Sequence, residues 1–415
     1  MNLTELPRDT LYEIGNYLGL RDLNAYALLN KKINEVCNDY KIKALDNNAT
    51  LLPFQKTYIK WILNNELKGP HKGVIDLTMG SGKTVTILSS IQLNRKGLTL
   101  VVVDPSLLAV WVAEIEKFYA IKDPIKYVVY HGEYQKNINF DKLEPNTLVL
   151  TTPQTLKGRI SRNTDQIQDA IFYRIVVDEV HSFGEHTGEL IRKCLKYTNI
   201  WVVSATPFNT AKNASDTFNK NIVSLLGLMK GNEYLYNGGK KIETPEVHQM
   251  PLHINLFKSA NTTYNYMCDY INKKPDEKML IFCNVGTCMQ VREALAKTDI
   301  RFLVFDASSN PRKREVIYQT FKTDPYYKVL VCTFTIASNG LNLAEANHSI
   351  FLDIPSCFGE RAYPDKNKLI QALGRIYRYG QTKPCFININ NNDNQSIAYK
   401  GLIQKAFPHA TFTVE

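Results

Sequence analysis

The strongest constraint on the fold of this chain is an alternation between short apolar runs and longer polar or helix-like stretches. The runs are rich in β-branched residues and form two series, first GVIDL, TLVVVD, TLVLTT, RIVVDE and IWVVSAT, then KMLIFC, RFLVFD, KVLVCT, HSIFLD and CFINI. Such runs are typical of buried parallel strands joined by crossover helices. The pattern predicts an α/β fold with two parallel-sheet lobes, at residues 45–230 and 248–410, and a loop-rich linker around residues 231–247.

The first 40 residues follow a different pattern. Leu11, Ile14 and Leu18 recur at helical spacing. Pro7 suits the first turn of a helix, where its missing N–H costs no hydrogen bond. We therefore predict a small all-helical module at residues 1–40, ahead of the two lobes.

Composition limits the classes of protein that this chain can belong to. Its 415 residues, 44% of them hydrophobic, suffice for two or three domains with real cores. The net charge of +10 is compatible with a polyanionic partner and equally with an ordinary basic protein. The eight cysteines form no CxxC pair, which favours reduced thiols over zinc. With no signal-peptide pattern and no apolar stretch of about 20 residues, we expect a cytoplasmic or nuclear protein that is neither secreted nor membrane-bound.

The segment MGSGKT, residues 79–84, lies between a strand-like run and a helix-like stretch. A strand, a glycine-rich loop and a helix in this order can hold phosphates on backbone N–H groups. The candidates for surrounding the anion are Gly80, Ser81 and Gly82. Lys83 is expected to reach the β- and γ-phosphates of ATP, and Thr84 to ligate Mg²⁺. Leu77 replaces the usual first glycine, and a glycine-rich turn with a solvated lysine is the alternative interpretation.

Two acids, Asp178 and Glu179, end the apolar run RIVV and are followed by Val and His181, which makes a DEVH box. At the carboxyl tip of a strand, Asp178 is a candidate Mg²⁺ ligand and Glu179 a candidate for polarising water. Solvated acids at a strand end are the alternative. The run VVSATPF offers Ser204 and Thr206 as links from the acids to movement between lobes, although a simple Thr-Pro turn explains it as well.

Near the C-terminus, QALGRIYRYGQ places Arg375 and Arg378 three residues apart, on one face of a short predicted helix. Phosphoryl transfer needs positive charge at the leaving phosphates, and an arginine from another lobe contributes roughly 10³–10⁵ in rate. Both arginines are therefore candidate catalytic residues, and Gln371 is a candidate nucleotide contact. On its own, the segment is equally well explained as a solvated basic helix face.

The order of these motifs resembles that of superfamily-two helicases, and most closely their Swi/Snf-like branch of DNA translocases. The likeness covers residues 50–390 and is carried by LLPFQKTYIKWI, MGSGKT, VVVDPSLLAVWVAE, LVLTTPQTL, DEVH, SATP, NGLNLAEA and QALGRIYRYGQ. The resemblance implies two RecA-like lobes that bind ATP and Mg²⁺ in the cleft between them. It further implies that Gln55 reads the adenine, and that Thr152 and Gly340 lie near the nucleic-acid backbone.

The chain departs from that family pattern in three places. Ala337 and Ser338 stand where the branch often has a glycine pair, and SATPFNT is closer to generic helicases. Lys278 lies only 72 positions after Thr206, which is too short for the large helical insertions of chromatin remodellers. Nucleosome remodelling is therefore not expected, and RNA stays open as a track.

The N-terminal stretch LTELPRDTLYEIGNYLGLRDLNAYALLNKKINEV resembles an F-box. F-boxes dock onto a Skp-type adaptor of cullin ubiquitin ligases by burying apolar helix faces. The tryptophan often found near the end of the motif is absent here. A helical cap packed on the first lobe is the alternative interpretation.

The sequence therefore predicts an ATP-hydrolysing translocase or helicase on nucleic acid, with duplex DNA favoured over RNA and an F-box-like recruitment module. The alternatives are an RNA helicase of the same superfamily and a non-catalytic F-box adaptor of a ubiquitin ligase. Lys83, Glu179 and both arginines are present, which argues against the non-catalytic adaptor. Because no long insertion suggests a strand-separating wedge, translocation is better supported than unwinding.

Overall fold

The computed structural model describes residue 10 and most of residues 51–414. Within that range the description omits residues 78–79, 120–123, 133–137, 162–165, 181–182, 184–186, 205–219, 228–249, 258–264, 267, 271–272, 275, 307–310, 335–342, 354–365, 379–380, 391–399, 402, 405–406 and 408. The helical module predicted at residues 1–40 lies outside the described residues except for Thr10, and the linker predicted around 231–247 lies outside them entirely.

The chain divides into two compact units, and the main body of the second begins at Glu246. Each unit is an α/β layer structure around a parallel sheet, so the predicted fold class is confirmed. No helix within the described ranges has the length and apolarity that a bilayer crossing requires.

The first unit is built on six strands and six α-helices in the part of the chain that is described. In chain order these are α1 (Pro53–Lys68), β1 (Lys72–Asp76), α2 (Lys83–Leu93), β2 (Leu98–Val102), α3 (Leu108–Tyr119), β3 (Tyr127–Tyr130), β4 (Leu148–Thr151), α4 (Pro153–Ile160), β5 (Ile171–Asp178), α5 (Thr187–Cys194), β6 (Lys196–Ser204) and α6 (Lys220–Leu226). The strand order is β1-β6-β5-β2-β4-β3, and every neighbouring pair is parallel. The strands read as apolar runs because helices cover a parallel sheet on both faces.

The register of this sheet brings several strand ends to one edge. Asp76 at the end of β1 pairs with Ser204 at the end of β6, and Asp178 at the end of β5 pairs with Val203. Polar residues that follow three separate apolar runs therefore meet at the carboxyl edge. This is the edge at which open α/β sheets bind ligands.

A buried polar cluster, here called the Glu66 cluster, joins α1 to the middle of the sheet. The Arg174 guanidinium on β5 contacts both Glu66 carboxylate oxygens at 2.5 Å. Glu66 also accepts hydrogen bonds from Trp201 Nε1 at 2.9 Å and from Asn94 Nδ2 at 2.7 Å. All four side chains are buried. A buried charge pair is tolerated when its remaining polar atoms are satisfied in this way.

The second unit contains seven parallel strands and three α-helices of eight or more residues among those described. In chain order these are β7 (Leu252–Phe257), β8 (Met279–Cys283), α7 (Val285–Leu295), β9 (Phe302–Phe305), α8 (Pro311–Thr323), β10 (Val329–Thr333), β11 (His348–Phe351), α9 (Lys366–Leu373), β12 (Cys385–Asn390) and β13 (Thr411–Val414). The strand order is β13-β7-β12-β11-β8-β10-β9. One apolar cluster that includes Phe282 and Phe351 packs on one sheet face, and a second that includes Ile281 and Ile350 packs on the other.

Candidate nucleotide-binding site

The loop between β1 and α2 has the backbone conformation that a tight anion site needs. Gly80 and Gly82 have φ angles of +72° and +79°, which side chains with a Cβ rarely adopt. Gly82 caps α2, and its carbonyl accepts hydrogen bonds from the Thr86 N–H and hydroxyl, both at 3.0 Å. This 11-residue helix follows the loop directly, and the N-terminus of a helix directs backbone N–H groups and the positive end of the helix dipole towards an anion, so the loop is suited to a phosphate.

Gln55 lies against this loop. A Cβ added to Gly82 would stand 2.5 Å from Gln55 Nε2, so the amide occupies the space that a larger residue would need. The other end of the amide is fixed, because Gln55 Oε1 accepts a hydrogen bond from the Leu52 N–H at 2.8 Å at the start of α1. Pro53 fills the first helical position, which suits a residue without an N–H. The glutamine predicted from the resemblance thus lies beside the predicted phosphate loop.

Lys83 and Glu179 form an ion pair between the start of α2 and the end of β5. Lys83 Nζ lies 3.5 Å from Glu179 Oε1, and only 15% of each side chain is exposed. Glu179 Oε2 accepts a hydrogen bond from the Ser204 hydroxyl at 3.1 Å. Glu179 itself has a φ of +51°, a left-handed conformation that is uncommon for a residue with a Cβ. Strained backbone of this kind persists where surrounding contacts hold it.

Asp178 is the most buried of the predicted site acids, with 5% of its surface exposed. Its Oδ2 accepts a hydrogen bond from Trp111 Nε1 at 3.1 Å. Its buried Oδ1 has no hydrogen-bond partner among the described residues. Burial, followed by the charge of Glu179, raises the pKa of Asp178 to about 7, while Lys83, the Trp111 N–H and the nearby backbone N–H of Glu179 oppose that rise. The Glu179 N–H donates its hydrogen bond to the Val203 carbonyl, at 2.8 Å.

These features fit a divalent cation and a nucleotide phosphate. A buried carboxylate oxygen without a partner is compensated by a cation, and hard cations such as Mg²⁺ prefer oxygen ligands. Thr84 is partly exposed in the first turn of α2, where a hydroxyl can supply a second oxygen. Ser81 is buried in the loop itself. The residues suited to hold the cation are therefore Asp178 and Thr84, with the phosphates over the loop.

Two further side chains shape this edge and were not assigned a role from the sequence. The Tyr58 hydroxyl on α1 donates a hydrogen bond to the Asp76 carbonyl at 2.7 Å, which ties the helix to the end of β1. Trp111 on α3 contacts Asp178, as described above. Both residues occur in the quoted motifs LLPFQKTYIKWI and VVVDPSLLAVWVAE, but a linear motif does not reveal which backbone or carboxylate each one contacts.

The two predicted arginines lie in the second unit, after α9 ends at Leu373, so the prediction of one short helix that carries both is wrong. Arg375 is buried, and the Arg378 Nε–H donates to the Gly374 carbonyl at 3.0 Å. Burial lowers the pKa of the Arg378 guanidinium to about 10, while Tyr318 and Glu345 oppose the change. The guanidinium therefore stays charged at neutral pH. Gln371 is buried within α9, in the same stretch of chain.

Gln381, which closes the motif, fixes the chain that follows the arginines. Its Nε2 lies 3.0–3.1 Å from the carbonyl oxygens of Ala344, Ala346 and Ile376. Its Oε1 accepts hydrogen bonds from the N–H groups of Thr382 and Lys383. The sequence pattern assigns this glutamine no role, and its contacts explain why an amide with both donors and an acceptor suits the position.

The residues predicted to lie near nucleic acid are only partly described. Thr152 is the N-cap of α4, where its hydroxyl accepts a hydrogen bond from the Thr155 N–H and lies 3.2 Å from His131 Nδ1. Gly340, Thr206 and His181 lie outside the described residues. In the first unit, Lys83 lies against Glu179 and Gln55 against Gly82, and in the second unit Gln371, Arg375 and Arg378 lie in one short stretch of chain.

Two consecutive regions of the chain match known protein-family domains. An SNF2-related domain matches residues 54–235, and a helicase conserved C-terminal domain matches residues 262–380. The chain is similar to the DNA repair protein rad8 of Schizosaccharomyces pombe, with 30% identity over 27% of this chain and 9% of that protein. It is also similar to a probable global transactivator of Orgyia pseudotsugata multicapsid polyhedrosis virus, with 30% identity over 38% of this chain and 32% of that protein.

A third similar protein is the ATP-dependent helicase FUN30 of Saccharomyces cerevisiae, at 29% identity over 38% of this chain and 14% of that protein. This chain therefore spans a third or less of the length of these curated relatives. Among solved structures, S. cerevisiae Dbp5 bound to RNA and ADP BeF3 is similar in fold, with a TM-score of 0.62 and 16% identity over 89% of this chain and 95% of that one. The two matched domains together cover most of residues 54–380, and the similar proteins include ones named as ATP-dependent helicases, at 29% identity.

Proposed function

We propose that this chain is an ATP-driven translocase that moves on nucleic acid, with duplex DNA as the favoured track. One observation supports the ATPase site above the others. Lys83 and Glu179 lie 3.5 Å apart at the carboxyl edge of the first sheet, beside an Asp178 whose buried Oδ1 has no partner among the described residues. A lysine from a glycine-rich loop next to two acids is the arrangement that phosphoryl transfer uses.

Each residue of this edge has a separate proposed task. Lys83 neutralises the β- and γ-phosphates, and in doing so exchanges its contact with Glu179 for the ligand. Glu179 then orients the attacking water and accepts its proton, while the Ser204 hydroxyl holds the other carboxylate oxygen in place. Asp178 and Thr84 hold Mg²⁺, which supplies positive charge to the phosphates when bound. Gln55 contacts the adenine from its position beside Gly82.

The second unit is proposed to supply Arg375, Arg378 and Gln371. An arginine that acts chiefly in the transition state stabilises charge on the transferred phosphoryl group. Arg378 retains its charge at neutral pH because its pKa, although lowered, is about 10. The Gln381 contacts fix the end of the same segment, which limits the positions that the arginines can adopt.

The preference for DNA comes from relatives. The SNF2-related match and a relative named as a DNA repair protein favour duplex DNA. The fold is shared with a structure whose title names RNA, and likeness at 16% identity is evidence of fold alone. An RNA helicase of the same superfamily therefore remains the second candidate function.

The F-box-like module at residues 1–40 remains part of the proposal as a docking segment for a Skp-type adaptor. It rests on the apolar spacing of Leu11, Ile14 and Leu18. A non-catalytic F-box adaptor is the alternative for the whole chain, and loss of hydrolysis in every assay below would favour it.

The test is ATP hydrolysis by the full chain with duplex DNA, single-stranded DNA or RNA added separately. Hydrolysis stimulated most by duplex DNA is the expected result. Lys83→Ala should lose turnover together with ATP affinity, whereas Glu179→Gln should bind ATP and turn it over at least about 100-fold more slowly, the lower range for loss of a general base.

A matched pair of control variants comes from an exposed ion pair on α5. Lys193 Nζ lies 2.6 Å from Glu189 Oε1 on the helix surface. Lys193→Ala and Glu189→Gln make the same chemical changes away from the carboxyl edge, and both should keep normal turnover. Turnover near that of the unmodified chain in Lys83→Ala or Glu179→Gln would show that the site is wrong, and stimulation by RNA alone would show that the track is wrong.

A further inference from the structure

The indole of Trp111 is placed by the order of strands in the first sheet. Strand β2 pairs with β5, and Val102 at the end of β2 lies opposite Val177, one residue before Asp178. Helix α3 follows β2 after a short turn, so its first residues lie next to the tip of β5. Trp111 is 1% exposed, and its Nε1 lies 3.1 Å from Asp178 Oδ2.

We propose that Trp111 is a positioning residue that fixes the Asp178 carboxylate for a divalent cation. The inference rests on the proposed function, because it takes Asp178 as the cation ligand. An indole N–H can only donate, so it selects one oxygen of the carboxylate and leaves the other for a different partner. Here the selected atom is Oδ2, and Oδ1 is the buried atom without a partner among the described residues.

Glu179, the neighbouring acid, has no unused oxygen to offer Mg²⁺. Both Glu179 oxygens already have contacts, Oε1 with Lys83 and Oε2 with Ser204. The two acids therefore differ in what holds them, and only Asp178 combines a fixed oxygen with an unused one. A partner that orients a metal ligand typically changes metal affinity or activity by about 10–100-fold when it is removed.

A tryptophan that only fills the core would behave differently. A packing role depends on ring volume and not on the N–H, so its loss lowers stability and weakens all binding together. A positioning role depends on the N–H. It therefore affects binding that requires the cation and leaves binding without the cation unchanged. This difference separates the two roles in solution.

The experiment uses the full chain and the variant Trp111→Phe, which keeps an aromatic ring and removes the donor. Affinity for a fluorescent ADP analogue is measured over a range of Mg²⁺ concentrations and in EDTA. We expect the Mg²⁺ concentration for half-maximal effect to rise about tenfold. Affinity in EDTA should stay unchanged, and excess Mg²⁺ should restore both binding and turnover.

The matched control is Trp201→Phe, which also removes a hydrogen bond from a buried indole to a carboxylate, in this case Glu66 at 2.9 Å. This variant should lose thermal stability with no change in the Mg²⁺ requirement. If Trp111→Phe does not fold, 3-benzothienylalanine incorporated at residue 111 keeps both rings and replaces the N–H with sulfur, and the same tenfold shift is expected.

Three results would overturn the inference. The first is an unchanged Mg²⁺ requirement in Trp111→Phe or in the benzothienyl protein, the second is equal weakening with and without Mg²⁺, and the third is the same shift in Trp201→Phe. Asp178→Asn separates this failure from failure of the proposed site. If Asp178→Asn abolishes the Mg²⁺ effect and the Trp111 variants do not, only the role of Trp111 is wrong. If Asp178→Asn keeps the Mg²⁺ effect, the proposed site itself is wrong.

Discussion

The first unit contains two buried carboxylates that each accept a hydrogen bond from a tryptophan, and they differ in the partners of their remaining oxygen atoms. Glu66 has contacts on both oxygens, from Arg174, Trp201 and Asn94. Asp178 has its tryptophan on one oxygen and no hydrogen-bond partner on the other among the described residues. The first is a completed structural cluster, whereas the second is an incomplete one at the edge of the sheet where ligands bind.

The difference shows how the fold separates stability from function. A buried charge that is fully paired can be carried by the folded state without a ligand. The charged form of a buried acid is destabilised when a second acid lies beside it, and this raises the pKa of Asp178. Sites of this kind are retained where a ligand supplies the missing partner. Four predictions test the comparison, in order of decreasing effect.

The largest effect is expected from breaking the Glu66 cluster. Arg174→Met leaves Glu66 buried without its cation, which should lower the free energy of unfolding by about 3–5 kcal/mol. Calorimetry of the full chain, with the transition of the first unit followed separately, provides the measurement. The double change Glu66→Leu with Arg174→Met replaces both charges by apolar groups and should recover most of the loss. An unchanged midpoint in Arg174→Met would contradict the structural role of the cluster.

The second prediction is that removing the charge of Asp178 stabilises the folded chain, which is the opposite of the effect expected at Glu66. Because the pKa of Asp178 in the folded chain is about 7 against an ordinary value of 3.8, the folded state binds more protons between these values. Stability from this group is therefore fully present below about pH 4 and is lost as pH rises towards 7. Asp178→Asn has no charge to bury, so in EDTA at pH 8 it should be more stable than the unmodified chain, by on the order of 2 kcal/mol.

The control for this effect is pH itself. The gain in Asp178→Asn should shrink as the pH is lowered to 4.5, while Glu66→Gln should be destabilised at both pH values. Thermal midpoints at the two pH values are sufficient. A variant Asp178→Asn that is less stable than the unmodified chain at pH 8 would show that Asp178 contributes to folding as Glu66 does.

The third prediction concerns the loop itself. Gly82→Ala forces a Cβ into a left-handed conformation, at a cost of roughly 1–2 kcal/mol, and brings it within 2.5 Å of Gln55 Nε2. ATP affinity should fall together with the stability of the ligand-free chain. Gln55→Ala in the same chain removes the contact but not the strained φ, so it should restore part of the stability and none of the nucleotide contact made by the glutamine. Full restoration of stability would mean that backbone strain at Gly82 is negligible.

The smallest change in stability is expected from Tyr58, which ties helix α1 to the end of β1. Tyr58→Phe removes the buried hydrogen bond to the Asp76 carbonyl, which should lower the free energy of unfolding by about 1 kcal/mol. Tyr127→Phe removes an exposed hydrogen bond of the same length to Glu116 and should change stability by less than about 0.5 kcal/mol. Equal losses in the two variants, measured by calorimetry, would contradict the tie between α1 and β1.

Much of the fold was predictable because the apolar runs are long enough to identify strands. The run RIVVDE corresponds to the second half of β5 and the turn after it, and GVIDL to β1 and the residue that follows. Parallel strands end at a common edge, so the closeness of Asp178, Glu179 and the glycine-rich loop followed from fold class and motif order together.

The contacts that hold the site were not predictable in the same way. Trp111 and Asp178 are 67 positions apart, and Glu66 and Arg174 are 108 apart, so the pairings depend on which helix face meets which strand. In the sequence, Arg174 is only the first residue of the apolar run RIVV, and the pattern contains no information on a buried counter-ion. The F-box-like segment lies outside the described residues apart from Thr10, so its interpretation remains a prediction.

Helix α1 has a mechanical consequence for the proposed adenine contact. Gln55 and Glu66 lie on the same helix, 11 residues and therefore about 17 Å apart along its axis. The Glu66 cluster clamps the helix to β5 and β6, so the helix cannot slide along the sheet unless buried charges separate. Gln55 is therefore held at a fixed position near the N-terminal end of α1. A nucleotide that contacts Gln55 must place its base at a fixed distance from the phosphate loop, because α1 does not move towards the base.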